Sequence, residues 1–173
     1  MASQGFHSLH ANVYDRMASG ATISVGKIAV DTLPLPITKD SYILDNSCGT
    51  GLVSAYVKSQ FPFAKIKGAD IAPGVIETYK ARIADGKWEG VDAEVLDCRD
   101  LKTLKDNTFT HVITNFGFAP NADDPTAQQR AVKEMYRVLK PGGVAVVTTW
   151  ASMYLLRILN REFAKERGRA ELR

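Results

Sequence analysis

In the stretch YILDNSCGTGLVSAYV, Tyr42 to Val57, an apolar run ends on Asp45. It then breaks into Ser47, Cys48, Gly49, Thr50 and Gly51 before a second apolar pattern begins. A strand that runs through a glycine-bearing turn into a helix offers backbone N–H groups and a helix N-terminus to a nucleotide. The spacing only half obeys the dinucleotide pattern Gly-x-Gly-x-x-Gly, because Ser54 stands where the third glycine belongs and no Lys or Arg lies between Asp45 and Ala55. A strand-end carboxylate without a compensating cation serves a diphosphate poorly. It suits a locally cationic ligand, whose ammonium it can hold directly or through water. Two more acids close apolar runs further along: Asp70, followed by Ile71, in IKGADIAP, and Asp97, followed by Cys98, in AEVLDCRD.

The elements that must position these acids alternate along the chain. Tyr42–Asp45, Ile66–Asp70, Ala93–Leu96, His111–Asn115 and Val144–Thr149 read as short strands, and Leu52–Phe61, Val75–Ala84 and Ala127–Leu139 as helices. Ala127, Ala131, Val132, Met135, Val138 and Leu139 form one continuous apolar face, and KPGG at Lys140–Gly143 is expected to end that helix. Such alternation implies βαβ units in an α/β domain with a mainly parallel sheet. Ahead of the first strand, Ala11–Met17 and Ile23–Leu33 read as two helices closed by LPLP, suited to a lid. The domain reading is a helical lid over 1–36 and a single core over 37–173. An excess of 22 Lys and Arg over 19 Asp and Glu is too small for a nucleic-acid footprint, which leaves a small molecule as the partner. The longest apolar region, Val144–Leu159, is interrupted by Thr148, Thr149, Ser152 and Arg157 and falls short of a bilayer span. Two cysteines and an N-terminus without an apolar stretch point to a cytoplasmic setting, and no metal-ligand cluster stands out.

S-adenosylmethionine meets the electrostatic requirement, since it carries an ammonium, a sulfonium and a single carboxylate. Asp70 is placed to accept from both ribose hydroxyls, and Asp97 from the adenine amino group while the Cys98 N–H donates to the ring. On these residues the chain resembles a class I S-adenosylmethionine-dependent methyltransferase of the small-molecule type over roughly residues 10 to 155. Asp45, Cys48, Gly49, Thr50 and Gly51 match its glycine-rich motif, Asp70 its ribose acid, Asp97 and Cys98 its adenine position. Asn115-Phe116-Gly117 match its motif after the fourth strand, and RVLKPGG resembles its turn into the fifth. The resemblance implies a Rossmann-like, doubly wound sheet of order 3-2-1-4-5, S-adenosylmethionine as cofactor and S-adenosylhomocysteine as product. Ser47 departs from the family's usual first glycine, and the usual C-terminal two-strand hairpin does not follow the fifth strand.

Several residues keep two readings. Tyr14 corresponds to a tyrosine that in similar proteins lies over the cofactor's methyl end, or it packs inside its helix. His10 and His7 are candidate general bases or ordinary exposed histidines, whereas His111, at the far end of its strand, is expected to be structural. Phe116 and Phe118 either wall the acceptor pocket or pack in the core. In the order 3-2-1, Cys48 and Cys98 fall about 9–10 Å apart, beyond disulfide reach. The uncovered apolar fifth strand calls for a second copy, a partner protein or the Met153–Arg169 helix to cover it. The alternative to methyl transfer is a methyltransferase-like subunit that keeps the fold and the cofactor, or the fold alone, and serves as an assembly partner without methylating. An NAD-dependent oxidoreductase is disfavoured by Asp45 and Ser54.

Overall fold

In a computed structural model of the chain, residues 20–118 and 124–150 are described. Their element order is α1 (Ala21–Asp31), β1 (Tyr42–Asn46), α2 (Leu52–Gln60), β2 (Lys65–Asp70), α3 (Pro73–Gly86), β3 (Val91–Val95), β4 (Phe109–Asn115), α4 (Ala127–Val138) and β5 (Leu139–Thr148). The five strands form one sheet in the order β3-β2-β1-β4-β5, and each neighbouring pair is parallel. All strand C-termini therefore lie along one edge, which gathers the loops carrying Asp45, Asp70, Asp97 and Asn115.

Strand alternation divides the core in two. Ile43, Ile66 and Ile113 join Val30, Val53 and Val57 of α1 and α2 on one face. Leu44, Ala69 and Val112 join Met135 and Val138 of α4 on the other. Burying each Val, Leu, Ile or Met side chain among these contributes about 1.5–3 kcal/mol, so both helical layers are anchored by their strands. Helix α3 opens on Pro73, whose missing N–H costs nothing in a first turn, and closes on Lys87 in the left-handed region at φ 49°. Lys58 secures the end of α2. Its buried ammonium donates to the carbonyls of Pro62, Ala64 (3.1 Å) and Glu89 (3.0 Å), joining the segments that lead into β2 and β3.

Most boundaries differ from the sequence reading by one to three residues, but the start of β5 needs a correction. The helix expected to reach Leu139 ends at Val138, and Leu139 already pairs with Phe109. Lys140–Gly143 then loops out, with Pro141 lacking an N–H and Gly142 at φ 78°, and pairing resumes at His111 with Val144. KPGG thus interrupts a strand that has begun before it. Among the described residues no helix is long and apolar enough to cross a membrane. The expected helices Ala11–Met17 and Met153–Arg169 lie outside the described residues, as do Tyr14, His7 and His10.

Candidate functional site

The turn after β1 is held from below and from the side. Gly51 at φ 83° leads into α2, and a Cβ there would lie 2.4 Å from the Tyr79 ring, while one at Gly68 would lie 2.1 Å from it. Tyr79 of α3, fully buried, is therefore clamped between the turn and β2, and neither glycine tolerates a side chain without displacing it. Arg82, also of α3, donates from Nε to the Thr50 carbonyl (3.0 Å). From β2, Asp70 accepts the Gly49 N–H on Oδ2 (2.9 Å) and the Ala72 N–H on Oδ1 (3.0 Å). The Cys48 N–H donates to the Ala69 carbonyl (3.0 Å), a second tie to β2.

Asp45 is buried, and the Ser54 hydroxyl donates to its Oδ2 (2.6 Å). Burial pushes its carboxyl up to about 7; the Ser54 hydrogen bonds oppose this, and the charge of Asp70 adds to it. The residue that breaks the dinucleotide spacing is thus the partner of the strand-end acid. Its signal in the sequence is a hydroxyl in the first turn of the helix that follows the acid. The Tyr79 hydroxyl sits beside Ser54 without a well-formed hydrogen bond of its own.

A small cavity of about 60 Å³ opens above this turn, lined among others by Thr22, Asp45, Ser47, Gly49, Thr50 and Asn115. Its described lining contains one carboxylate and no Lys, Arg or His. Asn115 frames its far side by donating to the Thr22 carbonyl of α1 (3.0 Å) and accepting from the Thr148 hydroxyl of β5 (2.6 Å). The sequence reading missed Thr22 and Thr148, which are local to nothing in the motif and arrive only through tertiary packing.

Ser47 adopts φ 58°, in the left-handed region that glycine occupies without cost. Its side chain fits because Gly117 faces it: a Cβ at 117 would lie 2.4 Å from the Ser47 Cβ. Cys48 and Cys98 are both free thiols, the first buried and the second partly so.

Asp97 is less open than expected. Its Oδ1 accepts the Arg99 N–H (2.9 Å), and the Arg99 guanidinium spans both oxygens, with Nη2 2.6 Å from Oδ2. Burial pushes this carboxyl up, but the hydrogen bonds and charge of Arg99 outweigh it, so Asp97 sits below the usual carboxylate range. Ile71 stays exposed beside Asp70. Phe118 packs against the α4 side of the core, while Phe116, at φ 57°, stacks on Trp150. His111 is fully buried, donates from Nε2 to the Leu35 carbonyl (3.0 Å) and accepts at Nδ1 from Thr110 (2.7 Å), and burial pushes its pKa down. Its place is structural.

Residues 43–143 match the family described as a methyltransferase domain, well over half of the chain. A ubiquinone/menaquinone biosynthesis C-methyltransferase, UbiE, of Desulfotalea psychrophila is 37% identical over 105 residues, 60% of this chain and 39% of that protein. Methyltransferase tpcH of Aspergillus fumigatus is 30% identical over 113 residues, 62% of this chain and 38% of that protein. The match spans roughly 35% to 52% of the length of such relatives. In fold, the chain is similar to the putative methyltransferase solved in complex with the Haloferax volcanii Trm112 methyltransferase activator. That likeness has a TM-score of 0.69 and 18% identity, and covers 92% of this chain and 66% of that one. With the parallel sheet of order 3-2-1-4-5 and the glycine turn held by the strand-end Asp70, the chain belongs to the methyltransferase domain family of class I, S-adenosylmethionine-dependent fold.

Proposed function

We propose that the protein binds S-adenosylmethionine and transfers its methyl group to a small-molecule acceptor. The observation that carries this reading is a cavity at the strand ends lined by the buried Asp45 and by no basic side chain among the described residues. Such a site repels a diphosphate and attracts an ammonium. In the proposed arrangement Asp45 holds the ammonium, with Ser47, Cys48, Gly49 and Gly51 shaping the turn around the methionine end. Asp70, which holds the turn through the Gly49 and Ala72 N–H groups, is the proposed acceptor for the ribose hydroxyls, and Ile71 covers the adenine. An adenine amino group would share the Asp97 Oδ2 with Arg99, while the Cys98 N–H meets the ring. Asn115 and Phe116 bound the methyl end, and residues 1–36, of which Thr22 and Ile23 line the cavity, act as the cover over the 37–173 core.

The cofactor supplies a methyl on a cationic sulfur, which an acceptor attacks in line with the departing sulfur. The chain's own contribution is to orient the acceptor and exclude water. A small-molecule acceptor is supported by the ubiquinone/menaquinone biosynthesis role that the name of the Desulfotalea psychrophila relative gives it. Two free thiols fit a reduced, cytoplasmic setting. A second copy of the chain covering β5, the last strand in the sheet order, completes the proposal, since Val147 is 43% exposed there. Light scattering across protein concentrations checks it, and a stable cofactor-binding monomer at micromolar concentration would contradict it.

Incubation with methyl-labelled cofactor and an extract of the native organism, followed by mass spectrometry, tests the main reading. Label in a small molecule, absent with Asp70→Ala, supports it. Cofactor binding without any transfer would favour the non-methylating subunit instead.

A further inference from the structure

Resting on the reading just given, we infer that Phe116 and Trp150 form a stacking platform for a planar, uncharged aromatic or conjugated acceptor. Asp97 follows β3, and Asp70 and Asp45 lie at the C-terminal ends of β2 and β1, so the proposed adenine, ribose and methionine contacts run across the sheet toward β4 and β5. The next side chains in that direction are Phe116, after β4, and Trp150, after β5. Their rings lie 4.4 Å apart at 30°, and Trp150 is half exposed although it is among the largest apolar groups in the chain.

The backbone is committed to this placement. Phe116 is held at φ 57°, a conformation unfavourable for a bulky residue. Its N–H is shared between the Thr148 carbonyl and the Thr148 hydroxyl, each at 3.1 Å, and that hydroxyl in turn donates to Asn115. A strained aromatic whose N–H is held twice by Thr148, next to the cavity-lining Asn115, is set there for a purpose other than core packing, which Phe118 two residues later performs. Neither Phe109–Phe118 nor Val144–Trp150 contains an Asp, Glu, Lys or Arg. A charged acceptor would find no partner on these two segments, whereas a flat π-face would gain offset stacking.

The test uses 2-naphthol as a planar neutral probe and cyclohexanol as a non-planar one, each measured by ligand-observed NMR in the presence of saturating S-adenosylhomocysteine. Naphthol is expected to bind and cyclohexanol to bind several-fold more weakly, with Trp150→Ala lowering naphthol affinity by about two- to tenfold. Trp150→Phe, which keeps a ring, should restore most of the loss. Equal binding of the two probes, or naphthol binding indifferent to Trp150→Ala, overturns the platform while S-adenosylhomocysteine binding stands. Failure of S-adenosylhomocysteine itself to bind overturns the underlying reading, and the platform with it.

Discussion

Asp45→Asn is expected to make the unliganded protein more stable at alkaline pH while removing its hold on the cofactor. The carboxyl is fully buried and raised from 3.8 to about 7, chiefly by desolvation. Because the folded pKa exceeds the unfolded one, the folded state binds the proton more tightly between the two values. Stability that is complete below about pH 4 is therefore lost as the pH rises through about 7, and at about 1.4 kcal/mol per unit the full loss is about 4 kcal/mol. Asparagine carries no charge and escapes this loss, although its buried amide N–H groups return about 1–2 kcal/mol of cost. A net gain of about 2 kcal/mol at alkaline pH should remain. Urea unfolding followed by tryptophan fluorescence at about pH 5 and about pH 8 reads the effect, with the wild type losing stability between them and the variant nearly level. Binding of S-adenosylhomocysteine should move the other way: lost in the variant, and in the wild type weakening by up to about tenfold per unit below pH 7, because the ammonium must meet a carboxylate. A variant less stable than wild type at alkaline pH, or an affinity independent of pH across this window, would refute the reasoning.

Ser47→Gly removes a left-handed non-glycine residue and should raise stability by about 1 kcal/mol while keeping S-adenosylhomocysteine affinity; a clear loss of affinity would show that the hydroxyl makes a ligand contact of its own. Gly117→Ala drives a Cβ to 2.4 Å from Ser47 and should cost about 1–3 kcal/mol by chemical denaturation, less in a Ser47→Gly background; strict additivity of the two changes would contradict the contact. Asp70→Ala should weaken S-adenosylhomocysteine by about 1.5–3 kcal/mol in calorimetry, through lost ribose contacts and a loosened Gly49 turn, and an unchanged affinity would remove Asp70 from the site.

The strand-end acids and the parallel alternation were legible because each rests on local pattern, an apolar run, an acid, a turn; the order of the sheet came only through the family resemblance. What escaped was set by partners distant in sequence. Ser54 looked like a defect in a glycine motif and is the donor to Asp45. Asp97 looked open, yet Arg99 two residues later folds back onto it, a choice between solvent and ion pair that spacing does not decide. Asn115 was expected at the cofactor, and its amide is also the bolt between α1 and β5 through Thr22 and Thr148, 93 and 33 residues away. The four-residue loop inside β5 was hidden because Pro141 and Gly142 signal a stop whether or not a strand resumes beyond them.

Calorimetric titration of the protein with S-adenosylhomocysteine and, separately, with NAD addresses the central claim, that a buried acid with no compensating cation selects a cationic nucleoside over a diphosphate. The account predicts a saturable heat with S-adenosylhomocysteine that is lost in Asp45→Asn, and none with NAD. Saturable binding of NAD without binding of S-adenosylhomocysteine would contradict it.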